Sequence, residues 1–268
     1  PLLLTAIVWA SCETPNKPES SAPKEPVEPI LPEIQTAECL WATGPIKIDG
    51  NATEPAWAGA TVFENYRLAW LGEKDRPAKT KTRTRLLWDS EYLYFTAEME
   101  DTDLFADVTK QDDDTWDNDV WELFLKPAGD KGYYEFHVNA ANTKFDIFLP
   151  HRGDWLVKRL RRTHAFHIES KVTLKGTLND LTDKDKGWTV EGRIPWSDLK
   201  MTGGAPKAGD EWTLSLCRYD YSVGSERPEL SSITPYKQLD FHRHEDFLPI
   251  KFGGKEEHRF GSLKRVAW

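Results

Sequence analysis

The chain has 268 residues, of which 39% are hydrophobic, and a formal net charge of −9 at pH 7. A chain of this length can bury a sizeable core in one large domain or two small ones. The acidic balance argues against nucleic acid as a partner, because phosphate binding needs a basic face. The 12 tryptophans are an unusual number. Since Trp provides a large contact area at low entropic cost, they suggest surfaces that touch ligands.

The first stretch, PLLLTAIVWASC, is an apolar run that ends in the small residues Ala10 and Ser11 before Cys12. This pattern is typical of the end of a secretory signal rather than of a membrane span. It resembles a bacterial lipoprotein signal with Cys12 as the lipidated residue, and an ordinary cleaved signal peptide is the alternative. We therefore predict a signal peptide, truncated at its start, over residues 1–11. The protein would then be lipid-anchored at the bacterial outer membrane or cell surface, with the lipid as its only membrane contact.

A proline-rich segment follows Cys12, with Pro at positions 15, 18, 23, 26, 29 and 32 among Glu, Ser and Lys. This composition favours an extended, semi-rigid spacer without an apolar face to bury. We assign residues 12–38 to the anchor and linker, 39–252 to a folded domain and 253–268 to a C-terminal extension. Cys39 and Cys217 remain, and the sequence leaves open whether they form a disulfide or stay as buried thiols.

From Ala37 onward the hydrophobic pattern has a period of two residues, which is typical of strands. Turn residues separate the alternating segments, and no window supports an amphipathic helix longer than about three turns. The pattern predicts an all-β fold, an antiparallel β-sandwich, with one short helix around Pro195–Lys200. The predicted strands are KTRTRLLW, EYLYFTAEM, DVWELFL, YYEFHVN, KFDIFL, FHIESKVTL, GWTVEGRI, EWTLSLCRY and FLPIKF.

Two neighbouring strand candidates carry polar side chains in alternation with apolar ones. In YYEFHVN, the residues Glu135, His137 and Asn139 share one face, which we expect to be the outer face of the sheet. In DVWELFL, Glu122 lies among apolar neighbours and needs a partner or water. If the two strands pair, these four side chains line one sheet face that suits a hydroxyl-rich ligand.

Six stretches follow one another along the chain: IKIDGNATEPAW, TRLLWDSEYLYFTAEMED, WDNDVWELFL, YYEFHVN, GWTVEGRIPW and DFHRHEDFLPIKF. In this order they resemble carbohydrate-binding module family 9 and its broader relatives. The resemblance covers roughly residues 44–252 and implies a β-sandwich that binds sugar, of a class attached to xylanases and found in bacterial surface lipoproteins.

The resemblance implies a site in which two Trp rings clamp a terminal sugar and a carboxylate bonds its hydroxyls. Trp116 matches the first Trp and Glu122 the carboxylate, while His137 stands where the family has Arg. The second Trp falls near SSITPY, where Tyr236 could take over the stacking. Glu135 and Asn139 are expected to contribute less.

The family also suggests structural calcium, which needs several oxygen ligands. The acidic stretch DDDTWDND offers Asp112, Asp114, Asp117 and Asp119, although it lacks the spacing of an EF-hand loop. A solvated turn that keeps a strand edge soluble is the alternative. EDTD, residues 100–103, is a second and weaker candidate.

The function expected from the sequence is non-catalytic binding of poly- or oligosaccharide at the cell envelope, in support of polysaccharide degradation and without an organic cofactor. One alternative is a glycoside hydrolase, since Glu122 and Glu135 on adjacent strands could sit about 5 Å apart, as in retaining enzymes. Two further alternatives are a haem-binding sandwich and a structural envelope protein. A haem would need a Met as axial ligand, and Met99 fits core packing better than that role. The basic cluster VKRLRRTH would either be a solvated face or favour an anionic glycan.

Overall fold

The computed structural model describes residues 36–129, 131–154 and 166–255, together with the backbone of 265–266. The predictions for Cys12, the signal segment, most of the linker and the basic cluster lie outside these residues. In the part of the chain that is described, no helix combines the length and apolarity needed to cross a membrane.

Strands make up most of the regular structure in the described residues. They are β1 (Ala37–Trp41), β2 (Thr61–Phe63), β3 (Thr82–Trp88), β4 (Tyr92–Met99), β5 (Val120–Lys126), β6 (Tyr133–Asn139), β7 (Lys144–Leu149), β8 (Glu169–Leu174), β9 (Trp188–Pro195), β10 (Glu211–Asp220), β11 (Glu229–Ser232), β12 (Leu248–Phe252) and β13 (Arg265–Val266). The helices are short 3-10 segments at Pro55–Gly59, Ala69–Lys74, Thr115–Asp117, Trp196–Asp198 and His244–Asp246.

The strands form two layers that β1 joins. One layer has the order β7-β6-β5-β10-β12, with β11 on β10, and the other has the order β3-β4-β9-β8, with β2 on β3. The first part of β1 pairs in parallel with β12 and its last two residues pair in parallel with β3. The layers meet in one apolar core, where the ring of Phe95 on β4 stacks on Trp121 of β5 at 4.8 Å. The predicted β-sandwich is confirmed, and the parallel pairing of β1 departs from a purely antiparallel one.

Each strand predicted from alternation is present, and the predicted short helix is the 3-10 turn Trp196–Asp198. The alternation did not predict β1, β2 or β11, which are three to five residues long. Segments this short carry too few side chains to show a period, and pairing with longer strands holds them in place.

Cys39 and Cys217 are both buried free thiols. The two cysteines therefore do not form a disulfide: Cys39 is buried on β1 and Cys217 is buried on β10. Burial raises the pKa of both thiols well above its usual range. Met99 is likewise buried in the main core, as ordinary packing predicts.

The polar face of β6 differs from the expectation, because it does not face solvent. All residues of β6 are buried. The chain between β11 and β12 folds over this face, and its rings Phe241 and Phe247 join Phe124 and Tyr133 in a second apolar cluster. The prediction of an open outer face was therefore wrong, and the polar side chains lie at the base of a covered pocket instead.

Candidate functional site

A cavity of about 320 Å³ lies above β5 and β6, under the segment that connects β11 to β12. Its floor carries Glu122, Glu135 and His137, and the rest of its lining is mostly apolar. The full lining is Trp116, Glu122, Phe124, Glu135, His137, Phe145, Tyr219, Leu230, Leu239, Asp240, Phe241 and His242.

Strand register brings the polar groups of the floor together. Glu122 is the cross-strand partner of His137, and Glu135 is two residues before His137 on the same strand face. The imidazole Nε2 of His137 lies 2.8 Å from Glu135 Oε1 and 3.4 Å from Glu122 Oε1. On its other side, Nδ1 lies 3.0 Å from Thr115 Oγ1. Both ring nitrogens are thus engaged, which fixes the ring plane between the two carboxyl groups.

The electrostatics of the floor follow from its burial. The pKa of Glu122 is raised to about 7, mainly because burial removes its hydration; His137 opposes this shift and the nearby Glu135 adds to it. For His137 burial alone would lower the pKa, but the two carboxylates outweigh that effect and the pKa is raised. The floor therefore combines a readily protonated imidazole with two carboxyl groups, an arrangement whose oxygens can accept hydrogen bonds from a hydroxyl-bearing ligand.

Trp116 forms one wall of the cavity. It lies on the 3-10 turn Thr115–Asp117 and is half-buried. Its ring meets Phe145 edge to face at 5.4 Å and His137 at 6.1 Å. The hydroxyl of Tyr221 donates a hydrogen bond of 2.9 Å to the Trp116 carbonyl. These contacts hold the aromatic wall beside the polar floor.

The opposite wall comes from the segment between β11 and β12. His242 lies against the ring of Phe124 at 5.5 Å, and its Nδ1 is 3.0 Å from the hydroxyl of Tyr133. Arg152 donates to the His242 carbonyl and also pairs with Glu245. The stretch DFHRHEDFLPIKF contributed to the family resemblance, but the sequence did not predict Phe241 and His242 as lining residues. Their clustering of aromatic and charged types before a strand was the available signal.

Two of the expected contact residues do not line the cavity. Tyr236 is 1% exposed and its ring stacks under Phe241, so it supports the wall rather than offering a free ring face. Asn139 is fully buried and all of its polar atoms are engaged. Its Nδ2 donates to Val108 O and Asn118 Oδ1, and its Oδ1 accepts from Thr143 N. Trp116, Glu122, Glu135 and His137 are the expected residues that the fold brings together.

The four aspartates considered for calcium do not converge. Among the described residues, the carboxylates close enough to share a cation are those of Asp101, Asp119 and Asp220, so that only Asp119 of the four takes part. Arg218 already lies 3.1 Å from Asp101 and 3.5 Å from Asp220. Both oxygens of Asp119 accept backbone N–H bonds, from Phe105 and Tyr221. The single positive charge of the guanidinium offsets part of the charge of the three carboxylates, so the contacts of this cluster are those of an ion-pair network.

The fold and the pocket together define a β-sandwich module with a covered pocket on one sheet face. A family model described as "Carbohydrate family 9 binding domain-like" matches residues 48–247. The chain belongs to this family.

One curated relative and two solved structures are similar to this chain. Endo-1,4-beta-xylanase A from Thermotoga maritima is 32% identical over 168 residues, which is 56% of this chain and 15% of the xylanase. The chain thus spans only a small part of that enzyme. Two structures of a family 9 module from Caldicellulosiruptor kristjanssonii, one with cellotriose and one with glucose, are each 18% identical. Their TM-scores are 0.54 and 0.56, and they cover 86% and 81% of this chain, and 100% and 96% of the module. This likeness shows the shared fold.

Proposed function

We propose that the cavity between Trp116 and His242 binds the sugar units of an oligo- or polysaccharide without cleaving them. The observation that supports this most is the buried group of Glu122, Glu135 and His137 beside the Trp116 ring. Sugars present hydroxyl donors at their edges and apolar C–H groups on their faces. A site that binds them needs acceptors on one side and an aromatic surface on another, and this cavity has both.

The size of the cavity favours one sugar ring. At about 320 Å³ it lies at the small end of the range of ligand pockets, which is about 300–1,000 Å³. Family 9 modules of the same fold were solved with glucose and with cellotriose. We therefore take glucose and short β-linked glucose chains as the first ligands to test.

The arrangement of the two glutamates favours binding over hydrolysis. A retaining glycosidase needs one carboxyl group as acid and the other as nucleophile on the two sides of the scissile bond. Here Glu122 and Glu135 both lie against the same imidazole nitrogen, on the cavity floor. His137 neutralises part of their charge, which suits recognition of hydroxyl groups. Release of reducing ends from a panel of glycans would contradict this proposal.

The main experiment is isothermal titration calorimetry with glucose and cellotriose. Wild-type protein should bind, and Trp116→Ala should remove most of the affinity. Trp41→Ala is the matched control, because Trp41 is also half-buried but lies in β1 outside the cavity. Thermal unfolding of both variants would show that they are folded. Equal affinity of wild type and Trp116→Ala would place the site elsewhere.

We also propose that the module acts outside the cytoplasm, anchored by a lipid on Cys12 and held away from the membrane by the proline-rich linker. The support is the apolar run before Cys12 and the spacing of the prolines after it. Metabolic labelling with a radioactive fatty acid tests the anchor. The label should be incorporated into the wild-type protein and be absent from Cys12→Ser.

A further inference from the structure

A second cavity adjoins the first one. It has a volume of about 440 Å³, and both cavities share Leu230 and Leu239 in their linings. Leu239 is 55% exposed. The two cavities thus lie on the two sides of one apolar ridge.

Trp70 gives the second cavity an aromatic wall. It is half-buried and lies in the segment Ala69–Lys74. Its ring meets Phe241 edge to face at 5.8 Å, and Phe241 lines the first cavity. The Phe241 ring, which lines the first cavity, is thus in contact with the aromatic wall of the second.

The charges in the second cavity are of both signs, but they differ in exposure. Asp220 and Glu229 are largely buried and engaged. Glu229 accepts from Arg76 at 2.5 Å and from the backbone N–H of Lys79 at 2.7 Å. Asp220 accepts from the Thr80 hydroxyl and pairs with Arg218.

The positive groups, in contrast, face solvent. The Lys79 side chain is 70% exposed, with its Nζ 3.9 Å from the largely buried Glu229, and Arg227 is exposed as well. The accessible charge of this cavity is therefore positive, although the protein as a whole is acidic. Exposed cations beside an aromatic surface suit a ligand that has an apolar face and a carboxylate.

We propose that the second cavity is a further sugar subsite that takes a carboxylated sugar, a uronic acid unit, next to the sugar held by the first cavity. Trp70 would stack on the ring of that unit, and Lys79 and Arg227 would contact its carboxylate. The inference rests on the proposed function, because the ridge of Leu230 and Leu239 connects the two cavities. It extends that function from one sugar unit to an acidic oligosaccharide.

Calorimetry with three probes tests the proposal: glucose, cellotriose, and cellotriose oxidised to carboxylate at its C6 positions. Trp70→Ala should weaken cellotriose binding about tenfold and leave glucose binding unchanged, since only the longer probe reaches the second cavity. The oxidised probe should bind wild type about fivefold more tightly than cellotriose at low salt. The double variant Lys79→Gln, Arg227→Gln should remove that advantage. Lys207→Gln is the control, because this exposed lysine lines neither cavity.

Two results would overturn the subsite while leaving the proposed function intact. In one, Trp70→Ala binds cellotriose as wild type does, or loses glucose and cellotriose equally through its contact with Phe241. In the other, the oxidised probe binds no better than cellotriose to wild type, or keeps its advantage in the double variant. If wild type binds none of the three probes, the proposed function for these sugars fails as well.

Discussion

The imidazole of His137 lies between two carboxyl groups, with its Nε2 2.8 Å from Glu135 and 3.4 Å from Glu122. All three side chains are nearly inaccessible to solvent. Removing such charges from water is costly unless they are paired, and the pairing here is mutual. The cluster is consequently a source of pH-dependent stability as well as the floor of the proposed binding cavity.

At pH 8, above the pKa of about 7 of Glu122, Glu122→Gln should weaken sugar binding about tenfold, because a hydrogen bond to a charged acceptor contributes roughly 1.5–3 kcal/mol. The amide keeps the shape of the side chain but lacks the carboxylate charge. Titration calorimetry with the best-bound probe measures the effect. Glu98→Gln is the control, since Glu98 pairs with Arg85 on the other sheet. Equal losses in the two variants would contradict a direct role of Glu122.

Stability should fall as the pH rises from about 5 to about 8. Burial raises the pKa of Glu122 to about 7 and that of Asp101 to about 6, above the unfolded values of about 4.3 and 3.9. The folded protein therefore binds more protons than the unfolded chain in this range. The stability that these two carboxyl groups contribute is fully present below their pKa values in the unfolded chain. It is lost as the pH rises through their pKa values in the folded protein.

Glu122→Gln provides the comparison for this pH dependence. The neutral amide should be more stable than wild type by about 1–3 kcal/mol at pH 8 and nearly equal to it at pH 5. Urea unfolding at both values measures the difference. A wild-type protein that becomes more stable from pH 5 to pH 8, with a parallel curve for the variant, would disprove the assignment.

Asn139→Ala should destabilise the fold by about 2–4 kcal/mol, because it removes three buried hydrogen bonds. Ligand affinity well below the melting temperature should be retained, since Asn139 does not line the cavity. Asn51→Ala is the control, as Asn51 is exposed and its side chain bonds only locally to Asp49. If the Asn139→Ala protein is folded but does not bind the ligand, Asn139 has a direct role in binding.

Tyr236→Phe should retain sugar binding and lose about 1 kcal/mol of stability, the value of its hydrogen bond to the Phe241 carbonyl. Tyr236→Ala should cost about 3–5 kcal/mol, because a large buried ring leaves a cavity. Chemical unfolding and calorimetry together separate the two effects. Loss of affinity in Tyr236→Phe at full stability would mean that the hydroxyl contacts the ligand.

Calcium should change the melting temperature of the wild-type protein by no more than about 1 °C relative to a chelator, because Arg218 already compensates Asp101 and Asp220. Arg218→Met should lose about 3–5 kcal/mol in chelator, since it leaves buried carboxylates without their cation. Added calcium should restore part of that loss. A large effect of chelator on wild type would instead show a bound cation.

Strand alternation predicted the sandwich because side chains on a strand alternate between two faces. For the same reason it placed Glu122 beside His137 and Glu135, a relationship that needs only the register of two neighbouring strands. Trp116 was found from the resemblance to the family, and it does line the cavity. These relationships depend on local or nearest-strand geometry.

The cover over the polar face and the walls of the cavities depend on contacts that no local sequence pattern encodes. The segment between β11 and β12 covers the polar face, so that Phe241 and His242 become walls while Tyr236 is buried beneath them. Trp70 meets Phe241 only because chain segments far apart in sequence pack together. The sequence by itself determined the longer strands and the chemistry of the floor, since both follow from a period of two. Only the tertiary structure decided which surfaces are open, because long-range packing sets the burial of each side chain.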